Sequence, residues 1–453
     1  MKKKIAVIGS GIAGLSAAYF LQNQFDVTLF EKNHYLGGHA NTQEVKDSKQ
    51  NNIAIDTGFI VYNELTYPNL TKLFEELQVP VSKSNMSFSF YNSSNQFEYG
   101  GGSLRALFAK PHNLINWKFY LMLKDIVKFY KTFQNKNISS DISIRQYLET
   151  KKFSKEFVYN HFLPLISSIW SSPDSNSLDQ PLSSIISFFQ NHKLFNFINR
   201  PQWKTVKGGS KNYINKLIQA SHFDIKKSFK IDKIIRDQGV EILSQNKKYQ
   251  FDLLVLACPP HHFLPLLGNK KEKEVSILNA FNFQKNLAQL HQNSSLMPPH
   301  KAAWSSWNFH TNTNNKCTLS YWMNLLQPLD TQDEFFVSLN QNQTSNLYQT
   351  VYEHPIFSLN TLNSQKEIGK IQGLNDTFYV GSYLGYGFHE DGIQSALKVC
   401  KKLNINLGRF NEADTSRIQW NYIIIIVLVK VKLFIKELRI LKTSFSIMHL
   451  IYA

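Results

Sequence analysis

Ile5-Ala6-Val7-Ile8 runs directly into Gly9-Ser10-Gly11-Ile12-Ala13-Gly14, and Val27 to Phe30 then leads to Glu31. The apolar run suits a buried parallel strand, Leu15 to Gln22 continues in helix formers, and Val27 to Phe30 reads as a second strand. The acid stands 20 residues after Gly11, the spacing of a dinucleotide-binding βαβ unit. Each part has a chemical reason. Gly9 permits the tight turn, Gly11 lets the backbone approach a pyrophosphate, and Gly14 lets helix and strand pack closely. The N–H groups around Ile12 and Ala13 open a helix whose positive end suits phosphate. Glu31 can accept from both ribose hydroxyls of an adenosine, which argues against a 2′-phosphate. Lys2, Lys3 and Lys4 imitate the charged end of a signal peptide, but the glycines interrupt the apolar run and no cleavage site follows. Strand, turn and helix explain the same residues better.

Past Glu31 come Lys32 and, after a short spacer, Gly37-Gly38-His39. A second glycine pair so soon after the acid suits a ligand longer than NAD, because the chain must pass close to an extended pyrophosphate and ribityl segment. A third glycine-rich turn lies far downstream. Phe378 to Gly381 reads as a strand, Ser382 follows, and His389-Glu390-Asp391-Gly392 precedes a helix over Ile393 to Leu403. A helix N-terminus there carries partial positive charge and free N–H groups that suit an anionic ligand edge. Asp391 is expected at the N-cap of that helix.

These motifs resemble the flavin-containing amine oxidase superfamily, whose pattern is G-x-G-x-x-G, an acid, a spacer and Gly-Gly-Arg. His39 stands where that pattern has arginine. The similarity is greater to bacterial amine-oxidase-like FAD/NAD-binding proteins, through Gly37-Gly38-His39-Ala40-Asn41-Thr42 and through Asp56-Thr57-Gly58-Phe59-Ile60-Val61-Tyr62-Asn63 followed by Tyr67-Pro68-Asn69. That resemblance extends to about residue 405. It implies FAD as cofactor, with Asp56 and Gly58 in the cofactor set and a main-chain contact to adenine near Lys233 or Ile234. It also implies a partnership with cyclopropane-fatty-acid-synthase-like enzymes and hence a lipid acyl substrate. Many superfamily members carry an acid after the glycine of the third turn. Here that position is Ser382.

The expected fold is α/β. A Rossmann-like FAD-binding domain (1–85, 200–275 and 366–410) is interleaved with an α+β substrate domain (86–199 and 276–365), and 411–453 forms an atypical tail. In detail, the patterns predict a helix over Leu70 to Leu77 and β-hairpin material from Val81 to Tyr99. Helices are predicted over Leu114 to Phe133, Ile144 to Glu149 and Phe153 to Ile166, and Phe251 to Cys258 is read as a strand of the cofactor domain. His389, Glu390 and His291 are the candidates for a base beside a hydride transfer whose chemistry belongs to the cofactor. Trp170, Trp304 and Trp307 are candidate cavity walls. A flavin-dependent isomerase or desaturase and a non-catalytic FAD-binding accessory protein remain alternatives.

The 453 residues carry 50 Lys and Arg against 33 Asp and Glu, a formal charge of +17. No dense basic helix and no nucleic-acid motif accompanies it, so lysines spread over a solvated surface are the preferred reading. With 43% apolar and 18% charged residues, disorder is not indicated. Cys258, Cys317 and Cys400 have no metal-like spacing, so neither a disulfide framework nor a metal site is expected, which fits a cytoplasmic protein. The tail has eight apolar residues from Tyr422 to Val429 and then Lys430, Lys432, Lys436, Arg439 and Lys442 against Glu437. That is too short to span a bilayer. It suits either the inner membrane face or, as the preferred reading, a frame-shifted end.

Overall fold

The apolar run Lys4–Ile8 lies at the centre of a five-stranded parallel sheet. The computed structural model describes residues 1–134, 142–169, 178–196, 200–311, 317–341 and 345–410. Strand order is Asp224–Lys226, Asp26–Phe30, Lys4–Ile8, Leu253–Leu256 and Thr377–Tyr379. Every pairing is parallel, with Ile5 beside both Val27 and Leu253, and Leu254 beside Thr377. Parallel sheets need cover on both faces, and side chains alternate accordingly. Ile5, Val7, Leu29, Val255 and Phe378 enter one core. Ala6, Phe30, Leu254, Leu256 and Tyr379 enter another.

The first core is covered by the first helix, Ile12–Leu21, and by the last described helix, His389–Lys402, which cross in contact. All of Ile12–Leu21 except Tyr19 is buried, as expected of a helix with no polar face. The second core is closed by a three-stranded sheet, Lys233–Ile235, Val240–Ser244 and Lys247–Phe251. Inside it Arg236 and Glu274 form a fully buried ion pair, 2.6 Å.

A seven-stranded sheet forms the other half. Its order is Tyr348–Ile356, Asn282–His291, Phe336–Leu339, Cys317–Trp322, Trp307–Thr311, Phe88–Asn92 and Phe97–Gly100. All neighbours are antiparallel except Trp307–Thr311 with Phe88–Asn92. Against it packs a helical layer rich in phenylalanine, including Trp117–Phe133 and Leu182–Asn191, around Phe119, Phe129, Phe157, Phe162 and Phe189. Residues 1–410 belong to one compact unit.

Several element boundaries differ from the sequence reading. The hairpin is Phe88–Gly100, whereas Val81–Lys83 pairs into a separate small sheet with Trp203–Val206. The helix expected from Leu114 begins at Trp117, where Asn116 accepts from Lys118 N at 3.1 Å. The stretch expected as one helix to Ile166 is a short turn Lys155–Phe157, a π-helical turn Val158–Phe162, and Leu163–Ile169. Cys258 and Cys400 are free thiols. Trp170 and residues 411–453 lie outside the described residues. Among the described residues no helix is long and apolar enough to cross a membrane.

Candidate functional site

The glycines of the first turn separate into two kinds. Gly9 has φ +103°, and a Cβ there would meet Ala257 O at 2.9 Å. A Cβ on Gly14 would lie 1.9 Å from Gly9 O. Both are demanded by the protein's own packing. Gly11 is not: its φ is −64°, open to any residue, and a Cβ there would meet nothing within 4 Å. A Cβ at Gly11 would enter open space. Gly38 faces it, since a Cβ on Gly38 would reach Gly11 Cα at 3.2 Å. Gly37 is tied back to the same turn, with its N–H donating to Ser10 O at 3.0 Å.

The helix N-termini converge on this space. A Cβ on Gly392 would lie 2.7 Å from Ile12 Cγ2 and 3.4 Å from Ala13 N. The start of the last helix thus rests on the start of the first, so the positive ends of the two helix dipoles lie side by side.

Glu31 ends its strand buried. Its Oε2 accepts from Ser10 N at 2.9 Å and Ser10 Oγ at 2.6 Å, and its Oε1 from Asn33 N at 2.8 Å. A carboxylate has about four acceptor positions, which leaves room for a hydroxyl beside these bonds. Lys32 next to it is exposed. Burial pushes the Cys258 thiol, behind Gly9, up to about 12. It is no nucleophile.

His39 stacks on Tyr352 at 4.8 Å and meets His354 edge-on at 5.4 Å. Burial pushes its imidazole down to about 4 and that of His354 to about 3. Burial thus disfavours the charged form of both rings. Gly58 is required by contact, because its Cβ would lie 2.2 Å from His39 O. Nearby, Glu353 receives His262 Nε2 at 2.6 Å and His261 Nε2 at 3.1 Å. This cluster, which the sequence reading missed, ties the loop after Leu253–Leu256 to the strand Tyr348–Ile356. Consecutive histidines after Pro259-Pro260 were its only sequence signal.

Other expected roles change. Asp56 is fully buried, and its carboxyl oxygens accept from Thr42 Oγ1, Ser210 N, Ser210 Oγ and Gln327 Nε2. It anchors the entry to helix Lys211–Gln219, so it shapes the site from behind. Burial pushes its carboxyl up to about 6. The Ile234 carbonyl accepts from Gly268 N at 2.7 Å and is occupied within the protein. Gly381 lies on extended backbone, where a Cβ would strike the Tyr383 ring at 2.2 Å. Ser382 receives Gly385 N and Gly387 N on its carbonyl, each at 3.0 Å. Asp391 is not the N-cap: Phe388 holds that position, and Asp391 reaches back to accept from Phe388 N at 2.9 Å.

Nor do the three candidate bases stand free in a cavity. Glu390 is fully buried and accepts from Asn69 N at 3.1 Å, Leu70 N at 3.0 Å, Asn69 Nδ2 at 2.9 Å and Gln394 Nε2 at 2.8 Å. It satisfies the first N–H groups of helix Pro68–Glu76, an end opened by Pro68 and without a side-chain cap of its own. His389 is stacked on Phe59 at 3.6 Å, with Nε2 3.1 Å from Tyr213 Oη, and burial holds it well below the usual histidine range. His291 sits inside the seven-stranded sheet with Nε2 2.8 Å from Ser338 Oγ and Nδ1 accepting from Asn293 N. Burial pushes it down to about 4. Trp304 and Trp307 belong to the same sheet region, packed on Trp322 and Tyr321.

Beside the helical layer, a cavity of about 550 Å³ is lined by Lys83, Met86, His192, Leu194, Arg200 and Trp203, among others. His192 stacks on Phe188 at 4.0 Å and Phe188 on Phe388 at 5.2 Å. The cavity wall therefore stands one aromatic layer from the start of the last helix.

Residues 7–77 match the NAD(P)-binding Rossmann-like domain family. Coproporphyrinogen III oxidase of Staphylococcus aureus is 22% identical over 303 residues, 59% of this chain and 63% of that enzyme. The chain thus matches less than two thirds of that relative's length. Among solved structures, a CLA-producing fatty acid isomerase from P. acnes superposes with TM-score 0.61 at 14% identity, covering 88% of this chain and 98% of that one. Putrescine oxidase bound to putrescine superposes with TM-score 0.64 at 11% identity, covering 90% and 100%. At such identities the likeness is one of fold.

Proposed function

We propose that this chain, whose fold is like that of putrescine oxidase, is an FAD-dependent oxidoreductase that takes hydride from a hydrophobic substrate. The observation that supports the reading best is Gly11, a glycine with no steric or dihedral reason inside the protein. It borders Gly38 and the paired starts of the first and last helices. These residues suit a dinucleotide with a long extended middle. Glu31 and the N–H groups around Ile12 and Ala13 would hold its adenosine and phosphate parts, and the start of the last helix its ring end. When bound, the flavin would supply the hydride acceptor at N5.

The protein's own contribution is placement. His389, Glu390 and His291 are each committed to structural hydrogen bonds, so the reading assigns no side-chain base. The cavity at Lys83 and Arg200, with Met86, Leu194 and Trp203 on its wall, suits an amphiphile with an anionic head and an apolar body. A fatty acyl compound has that chemistry.

Gly11→Val tests the cofactor reading. Its Cβ meets no protein atom, so the variant should fold in the cofactor-free state with no more than the modest loss of a poorer N-cap residue. It should nevertheless lose more than 90% of the flavin absorbance near 450 nm that the wild type retains, a loss of roughly tenfold or more in affinity. FAD, rather than FMN, should be released from the wild type on denaturation. A wild type that neither carries nor reconstitutes with FAD overturns the proposal.

A further inference from the structure

We propose that the segment Leu104 to Lys124 docks this protein on the surface of an anionic lipid bilayer. Its large apolar side chains point outward: Leu104 is 77% exposed, Leu114 57%, Ile115 80%, Trp117 68% and Tyr120 46%. Scattered exposed apolar residues are ordinary, but five large ones within residues 104–120 mark an interaction surface.

The group is held rigidly in that attitude. Ser103 caps the turn Leu104–Leu107 by accepting from Ala106 N at 3.1 Å. Buried Asn113 donates to Glu98 O at 2.9 Å, and Tyr120 Oη donates to Leu114 O at 3.0 Å. Phe119 and Met122, on the inward side, are fully buried in the helical layer. Exposure of the outer set is thus a product of the packing.

Charge identifies the occupant. Residues 101–124 contain Arg105, Lys110, Lys118 and Lys124 and no acidic residue. Asp125 is buried and accepts from Ser154 N at 2.8 Å. Glu98 is buried against His300, and Glu156 makes only a 3.8 Å contact with Lys118. A basic rim around apolar tips, with Trp117 and Tyr120 between them, matches the layering of a bilayer interface: phosphates outside, acyl chains beneath, amphipathic rings at the boundary. A second copy of the chain fits worse, because a two-fold contact through this face would set each basic rim against its mate. The docking surface stands independently of the flavin reading. Delivery of a bilayer-resident substrate to the site would rest on both.

The test uses the full chain, loaded with cofactor, and sedimenting vesicles of phosphatidylglycerol and phosphatidylethanolamine, or of phosphatidylcholine alone. The wild type should pellet with the anionic vesicles and be released by salt. The double variant I115E/W117E should bind at least tenfold more weakly, with flavin content and melting temperature unchanged because both side chains are exposed. The control L347E/V351E, exposed elsewhere (48% and 54%), should bind as the wild type does. Wild type that ignores anionic vesicles overturns the proposal. So does equal binding by the I115E/W117E variant, which would place the contact elsewhere on the chain. A concentration-dependent dimer abolished by that variant, without vesicle binding, overturns it in favour of a second copy.

Discussion

Glu390 shows how a residue whose type and position suggest chemistry can be claimed by architecture. Its carboxylate closes the open end of a helix that begins 320 residues earlier in the chain, at Asn69 and Leu70. Helix N-termini attract carboxylates, and the buried setting strengthens each bond. Glu390→Ala would leave buried donors without an acceptor, at about 1–3 kcal/mol for each unsatisfied group. The variant should therefore lose at least about 3 kcal/mol in urea denaturation while retaining the pH dependence of turnover. Loss of an acidic or basic limb in that profile, with stability intact, would restore a catalytic role. Nothing near Glu390 in sequence announces this partnership. The partners of His389 and His291, Tyr213 and Ser338, are likewise distant in sequence. By contrast, Gly14 and Glu31 were legible because their partners Gly9 and Ser10 lie within one βαβ unit.

At the scale of elements, the starts of the first and last helices form one unit, joined where Gly392 meets Ile12. Asp391 belongs to this unit as the residue that closes the backbone of Phe388. The sequence reading put it at the N-cap because aspartate favours that position. The structure instead uses Phe388 there, whose ring stacks into the helical layer, and moves the capping carboxylate to the third helical residue. Asp391→Ala should cost about 1 kcal/mol of stability and weaken flavin retention severalfold, measured by flavin release on dilution. Unchanged retention would show that the last helix does not face the cofactor. Gly392→Ala should be worse, because its methyl would sit 2.7 Å from Ile12 Cγ2. Overpacking of this kind typically costs about 1–3 kcal/mol, so the denaturation midpoint should fall further than for Asp391→Ala.

For the whole molecule, buried neutral histidines set the acid limit. Burial holds His39 and His291 near about 4, and His161 and His354 near about 3, against about 6.5 in an unfolded chain. Below pH 6.5 the unfolded chain takes up protons that the folded one refuses, so stability falls with pH until the folded values are reached. Each such group removes at most about 1.4 kcal/mol per pH unit in that window. Asp56 acts oppositely: its carboxyl, raised to about 6, gains stability as pH falls toward the usual carboxylate range. One group opposing four does not reverse the sign. The urea midpoint should drop steadily from pH 6.5 to pH 4, and a midpoint that rises over that range would show these rings are not held neutral.

The parallel sheet has a further consequence, for synthesis. Its central strand is made within the first eight residues, but its edge strand Thr377–Tyr379 and the helix that covers Ile12–Leu21 are among the last parts described. A ribosome adding roughly 5–20 residues per second needs about 20–80 seconds to pass from the central strand to residue 402. Throughout that interval the first helix, apolar on every side, has no cover, so the nascent chain must stay soluble with its innermost element exposed. Ile12 thus waits for 380 further residues before Gly392, which packs against it, is made.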